Sequence, residues 1–322
     1  MNRRLSLPLL ALALFAAPPA GAQQWAPPKS IRLLVGAPAG GSNDILGRAI
    51  GQRLSETFGQ PVVVDNRPGA SQMLAADLMA KSPPDGTTLY ISSSTYATTV
   101  ALNPKQPFDP LNDVTGVALL GNGPLVLVVH PSVPAKNAKE LIALARARPG
   151  QLNYTSSGVG GINHLGTEVF EAMAKIDMVH IPHKGMAPAL TDLMAGQVQV
   201  LLISAASVEA QIQSKRLRAI GISTAKRSSF MPGLPTIAES GLPGYDVSLW
   251  WGIFAPAKTP RPAIERLNAE INRILATDEM KKRFADFGAE ATPASADAFT
   301  AMFKREIAMW SKVVKDANIK AE

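Results

Sequence analysis

Apolar positions along the chain follow two periods. Short apolar runs at 31–35, 61–64 and 89–92 read as strands. Between them lie helical patterns: one opens at Ser42 with Ile45, Ile50 and Leu54 on one face, and one spans 70–81 and stops at Ser82-Pro83-Pro84-Asp85-Gly86. A second series has strands at 125–129, 152–155, 178–181, 198–203 and 217–223, with helices over 138–146, from Ile162, and over 188–195. A further strand is expected at 248–255, and from Pro260 onward the pattern is helical, with Ile264, Leu267, Ile271 and Ile274, and then Phe299, Phe303, Ile307 and Trp310, at helical spacing. Strands alternating with helices predict the α/β class, with parallel sheets covered on both faces. The segment order predicts two lobes: 23–124 begins lobe 1, 125–250 forms lobe 2, and 251–322 returns to lobe 1 with C-terminal helices. Met73, Met79, Met173 and Met194 fall on the helices as core filler.

The first 22 residues stand apart from this pattern. Arg3 and Arg4 precede an uncharged apolar run, Leu5 to Ala17, and Ala20-Gly21-Ala22 gives an A-x-A cleavage pattern before Gln23. That is the layout of a secretory signal peptide. The run is interrupted by Pro8 and falls short of the ~20 residues that a spanning helix needs. No later stretch has 18 uncharged apolar residues, so the mature chain is expected to be soluble and exported, with no lipid anchor because it has no cysteine.

The absence of cysteine also excludes a disulfide scaffold, a thiolate metal site and a cysteine nucleophile. The formal charge of +7 becomes +5 once the two N-terminal arginines are removed. The basic residues are interleaved with acids and no basic stripe carries aromatics, so nucleic acid is not an expected partner.

The candidate chemistry lies in loops. Three strand ends run into Gly- or Ser-rich segments, at 36–43, 92–95 and 156–161, and two of these open helices. A helix N-terminus presents unpaired N–H groups and the positive end of its dipole, and glycine admits a ligand close to the backbone. Ordinary tight βα turns have the same composition. The nucleotide patterns G-x-G-x-x-G and G-x-x-x-x-G-K-[ST] do not occur. Of the four histidines, His180 and His183 are closest, but three-residue spacing on a strand sends them to opposite faces, which opposes a shared metal. No metal or cofactor is expected. G-x-S-x-G is missing, and a triad at other spacings would be a matter of geometry. Trp250 and Trp251 point to opposite faces of a strand, so either could stack on a ligand or pack beneath a hinge.

Several ordered motifs carry a family likeness: Pro38-Ala39-Gly40-Gly41-Ser42-Asn43-Asp44, Asp65-Asn66-Arg67-Pro68-Gly69-Ala70, Ala80-Lys81-Ser82-Pro83-Pro84-Asp85-Gly86, Ser156-Ser157-Gly158 with His164-Leu165, and His183-Lys184-Gly185. From about Pro28 to Lys320 the chain resembles the solute receptors of tripartite tricarboxylate transporters, the Bordetella uptake gene family. The resemblance implies a type II periplasmic binding protein fold, in which two α/β lobes close on a small carboxylate and deliver it to membrane permease subunits. It implies a monomeric receptor and no enzymatic chemistry. Carried over by position, the ligand-binding residues are Ala39, Gly40, Gly41, Ser93, Ser94, Ser156, Ser157, Gly158, Gly161 and His183. Asp44 matches as well, and as an acid it fits capping better than anion binding.

Two departures stand out. His183 occupies a position where the family often has Tyr, and Ile203 one where many members have Asp. An apolar residue there suits a non-amino carboxylate, aromatic or a longer diacid. The rival readings are a periplasmic sensor feeding a two-component system and a secreted α/β hydrolase.

Overall fold

The computed structural model describes residues 25–316 and Ile319; the expected signal peptide lies outside them. In chain order, β1 (Ile31–Val35), α1 (Ser42–Phe58), β2 (Val62–Asn66), α2 (Met73–Ala80), β3 (Thr88–Ser93) and α3 (Thr95–Leu102) begin the first lobe. The long β4 (Val114–Val129) leads into α4 (Ala138–Ala147), β5 (Asn153–Ser156), α5 (Ile162–Ala174), β6 (Val179–Pro182), α6 (Met186–Met194), β7 (Val200–Ser204), α7 (Ala205–Gln213) and β8 (Arg218–Ile222). The chain returns through β9 (Ser248–Pro256), α8 (Arg261–Leu275), α9 (Asp278–Asp286), β10 (Glu290–Ala291) and α10 (Ala296–Asp316).

β1 is the parallel centre of the first sheet. It pairs with β2 and β3, and β3 pairs antiparallel with β9. The apolar run of β1 is nearly all buried because helices cover both its faces. The 16-residue β4 belongs to both lobes: Val114 to Pro124 pair with β9, and Leu125 to Val129 lie between β7 and β8. The lobe division expected at 124/125 therefore falls inside one continuous strand. At that crossing Ser223 Oγ accepts from Leu125 N at 2.8 Å and donates to Val247 O at 2.6 Å. This satisfies a fully buried hydroxyl and ties the outgoing and returning strands together.

The C-terminal helices pack on the first lobe. α8 lies against α1 and β4, and α10 against α3 and β4. A Cβ on Gly252 would stand 2.1 Å from Phe299 Cζ, so the bare strand is the seat of that ring. Phe299, Phe303 and Trp310 of α10 are buried with Tyr96, Trp250 and Phe254.

Three expectations are corrected. On α1 it is Leu46, with Ile50 and Leu54, that is buried, while Ile45 is exposed at the flank. Met173 is exposed rather than core. The first half of β4, α3 and α7 were not anticipated as elements: Gly in β4 and Thr in α3 read as loop and packing overrides that propensity, whereas α7 is a short helix-favouring segment directly after β7.

Candidate ligand-binding cleft

Six helices begin at the carboxyl ends of strands and point their first turns at the space between the lobes. α1 starts after Gly41, α2 after Gln72, α3 after Ser94, α5 after Gly161, α6 after Gly185 and α7 after Ser204; in none does the capping residue's side chain accept a helix N–H. Helices α4, α9 and α10, away from the cleft, are capped by side chains, whereas α8, also away from it, has no side-chain cap and carries Pro262 in its first turn. Asn137 accepts from Glu140 N at 2.9 Å at the start of α4, Thr277 from Met280 N at 3.4 Å at the start of α9, and Ser295 from Ala298 N at 3.2 Å beside α10. A first turn leaves four N–H groups without intrahelical acceptors. Around the cleft no capping side chain takes up those donors, although Met73 N of α2 donates back to Ala70 O.

The cleft has two chambers. An inner one of about 420 Å³ is lined by Gly40, Gly41, Ser42, Asn43 and Ser93 of the first lobe, by Ile162, Asn163, Ile203, Ser204 and Ser207 of the second, and by Leu125, Leu249 and Trp251 near the crossing. No side chain lining it is ionisable. An outer chamber of about 740 Å³ is lined by Pro68, Gly69, Ser157, Gly158, Gly161, His183 and Lys184. Ala37, Gln72, Thr95 and Ser157 line both and form the waist.

The residues marked in the sequence separate into lining and supporting roles. Gly40, Gly41, Ser93 and Ser157 line the inner chamber, and Ser157, Gly158, Gly161 and His183 the outer one. Ala39, Ser94 and Ser156 line neither chamber. Ser94 is fully buried as the residue before α3. Ser156 Oγ receives Gly158 N at 3.2 Å and lies 2.8 Å from His180 Nε2, so it holds the second-lobe loop from beneath. Gly40 N donates to Asp44 Oδ2 at 2.9 Å and is not a free donor. Hydrogen bonds from Arg48 and from Gly40 N–H keep the Asp44 carboxyl below its usual range despite burial.

The two neighbouring histidines occupy separate environments. His183 Nδ1 lies 2.8 Å from Thr155 Oγ1, and its Nε2 lies 2.7 Å from Asp192 Oδ2, so both ring nitrogens are engaged. His180 stacks on His164 at 4.0 Å and on Tyr154 at 4.8 Å. Burial, then the adjacent His164, holds His180 to about 4, so it is neutral near pH 7. Among the described residues no group of three or more His, Cys, Asp or Glu could hold a metal ion.

The tryptophans divide as their alternation requires. Trp251 faces the inner chamber and its Nε1 donates to Ser42 Oγ at 3.0 Å, while Trp250 packs edge-on against Phe299 and Phe303. Gln72, Ser204 and Ser207 also line the chambers and were not expected from the sequence, whereas Thr95 falls in the 92–95 segment that was. Ser204 adjoins a strand end that runs into a helix, a signal that was available; Gln72 carries no local signal.

The chain matches the model of the tripartite tricarboxylate transporter family receptor over residues 46–319. It is 36% identical over 296 residues to protein BugT of Bordetella pertussis, covering 91% of each chain. Among solved structures it is similar to R. palustris Rpa4515 with adipate (36% identity, TM-score 0.83, 91% of this chain and 99% of that one). It is likewise similar to MatC (Rpa3494) from Rhodopseudomonas palustris with bound malate (31% identity, TM-score 0.80, 89% and 99%). The chain belongs to the tripartite tricarboxylate transporter receptor family, a family of periplasmic solute-binding receptors rather than enzymes.

Proposed function

We propose that this receptor captures a small carboxylate that carries no ammonium group, and passes it to the permease of a tripartite tricarboxylate-type transporter. The observation that carries the reading is the convergence of six uncapped helix N-termini on a chamber with no ionisable side chain. Oriented N–H groups favour an anion, each helix end acting as roughly half a positive charge. An ammonium group in the inner chamber would meet no carboxylate, and burying an unpaired charge there is costly. Ile203, Leu125, Ile162 and Trp251 offer apolar surface to the carbon skeleton. The ligands of Rpa4515 and MatC, adipate and malate, are both non-amino dicarboxylates and support the same class.

Capture proceeds by the lobes closing about β4 and the Ser223 crossing, which brings the α1 and α3 ends toward those of α5 and α7. No covalent step is involved. Cleavage after Ala22 accompanies export, so mature protein recovered from the periplasm should begin at Gln23.

The test is a melting-temperature screen across mono-, di- and hydroxy-carboxylates and aromatic acids, followed by calorimetry on those that stabilise the protein. At least one non-amino carboxylate should raise the melting temperature strongly. Tight binding of aspartate or glutamate would remove the non-amino assignment, and a panel with no stabilising member would remove the carboxylate itself.

A further inference from the structure

Gln72 lines both chambers of the cleft, at the boundary they share. Its backbone is left-handed, with φ +77°, and Ala70 two residues earlier also has positive φ, +46°. Glycine takes this conformation freely, whereas a residue with a Cβ does so at a cost. The neighbouring strand end accommodates the side chain: a Cβ on Gly36 would lie 2.7 Å from Gln72 Cβ. A long polar side chain is therefore held at a position where glycine would be the less strained choice.

The carboxamide is gripped on one side only. Gln72 Oε1 accepts from Ser92 Oγ at 2.9 Å and from Asn43 Nδ2 at 3.3 Å. Tyr90 Oη lies 2.9 Å from Ser92 Oγ, to which it donates, and 3.3 Å from Gln72 O, so the tyrosine backs both the serine and the glutamine backbone while the serine donates to Gln72 Oε1. Tyr90 and Ser92 are fully buried and Asn43 nearly so, which makes this backing rigid. With two donors converging on Oε1, the amide NH₂ is the end presented to the waist, and no described residue accepts from it.

We propose that Gln72 is a specificity-determining ligand contact, donating from Nε2 to a carboxylate or carbonyl oxygen that the ligand places at the waist. Asn43 and Ser92 are positioning residues that fix which end of the amide faces the ligand. The inference rests on the carboxylate reading given above and adds to it where along the ligand an acceptor oxygen must fall. A ligand with a methylene or a cation at that point leaves the donor unpaired and binds more weakly.

The experiment uses the full mature chain and a panel of malonate through pimelate, malate, tartrate, benzoate and phthalate. The probe that binds wild type most tightly is carried into Gln72→Met, Gln72→Gly and Ser92→Ala, with calorimetry for affinity and melting temperature for folding. Gln72→Met keeps the length and loses the donor, so affinity should fall about 5–20-fold. Gln72→Gly relieves the backbone, so its melting temperature should hold or rise while affinity falls by the same factor. Ser92→Ala, which frees the amide to turn over, should weaken binding about 3-fold. In ¹⁵N-labelled wild type, the side-chain NH₂ signals that vanish in Gln72→Met should move when the probe is added. Unchanged affinity in both Gln72 variants, or NH₂ signals that stay in place, would overturn the assignment while leaving the carboxylate reading intact. A wild type that binds no member of the panel would overturn that reading and this one with it.

Discussion

Helices of the same backbone geometry end differently in two regions of this molecule. Where α4 and α9 start, on the outside, Asn137 and Thr277 supply an oxygen to the first turn. Where α1, α3, α5 and α7 start, facing the cleft, no side-chain oxygen does so. A missing cap costs about 1 kcal/mol per helix, so four such ends forgo several kcal/mol of stability. On the proposed reading the cleft-facing ends leave their donors for a guest; α8, outside the cleft, also lacks a side-chain cap, but Pro262 in its first turn removes one of the orphan donors instead. A first turn without its own oxygen, aimed at a concavity, is thus a functional signal, and one distinct from glycine content.

The comparison can be broken most directly by giving a cleft helix a cap. Gly41 has an extended backbone, and a Cβ there would meet only Pro38 O, at 3.6 Å. Gly41→Asp should fold, with a melting temperature equal to or above that of wild type. It should also lose at least about 100-fold in carboxylate affinity, because its own carboxylate takes the α1 donors. Retained affinity in that variant would detach α1 from the site.

The two ends of α5 sharpen the contrast. Its start serves the cleft, while near its other end Glu171 is buried and accepts from Met178 N at 2.5 Å. Burial, with Glu168 nearby, pushes its carboxyl from an ordinary 4.5 up to about 8. A raised acid pKa means the folded state binds the proton more tightly than the unfolded chain does. This contribution to stability is therefore complete below about pH 4.5 and declines as pH rises to about 8. Glu171→Gln should remove that decline and raise stability at pH 8 by about 2–3 kcal/mol, with ligand affinity unchanged. Denaturant melts at pH 5 and 8 measure this, and an identical slope in both proteins would refute it.

Ile203→Asp comes next. A carboxylate in the inner chamber should weaken dicarboxylates about tenfold and admit aspartate or glutamate. Calorimetry with succinate and aspartate reads both changes, and an unaltered ratio would show that residue 203 does not sort ligands. The smallest effects belong to the outer caps. Asn137→Ala and Thr277→Ala should each cost about 1 kcal/mol in urea unfolding and leave binding untouched.

Much of the architecture was legible in the sequence. Apolar runs such as 31–35 and 200–203 and the amphipathic C-terminal helices are buried as strands and helices, because period and burial are directly linked. The glycine loops were legible as a cleft for the same physical reason: their composition serves close backbone approach. The division of labour within them was not. Ser156 and Ser157 are adjacent and chemically identical, yet one is buried beneath the loop and the other lines both chambers. Which of them faces the chambers follows from the pairing of Ser156 with His180, 24 residues away. Gln72 was invisible because its role depends on Gly36, Asn43 and Ser92, which only the fold brings around it.

The shared strand β4 also sets an order of events as the chain emerges. Every strand of the second sheet lies between Leu125 and Ile222, so that sheet can complete itself from one continuous stretch. The first sheet cannot. β3 waits for β9, which arrives only at Ser248, and the seat of Phe299 stays empty until α10 appears. Until then β3 carries an open edge able to pair with a foreign strand. The lobe that starts first in the chain is the one that finishes last, and if the chain is exported as proposed, its unpaired edge is where protection during transit is most needed.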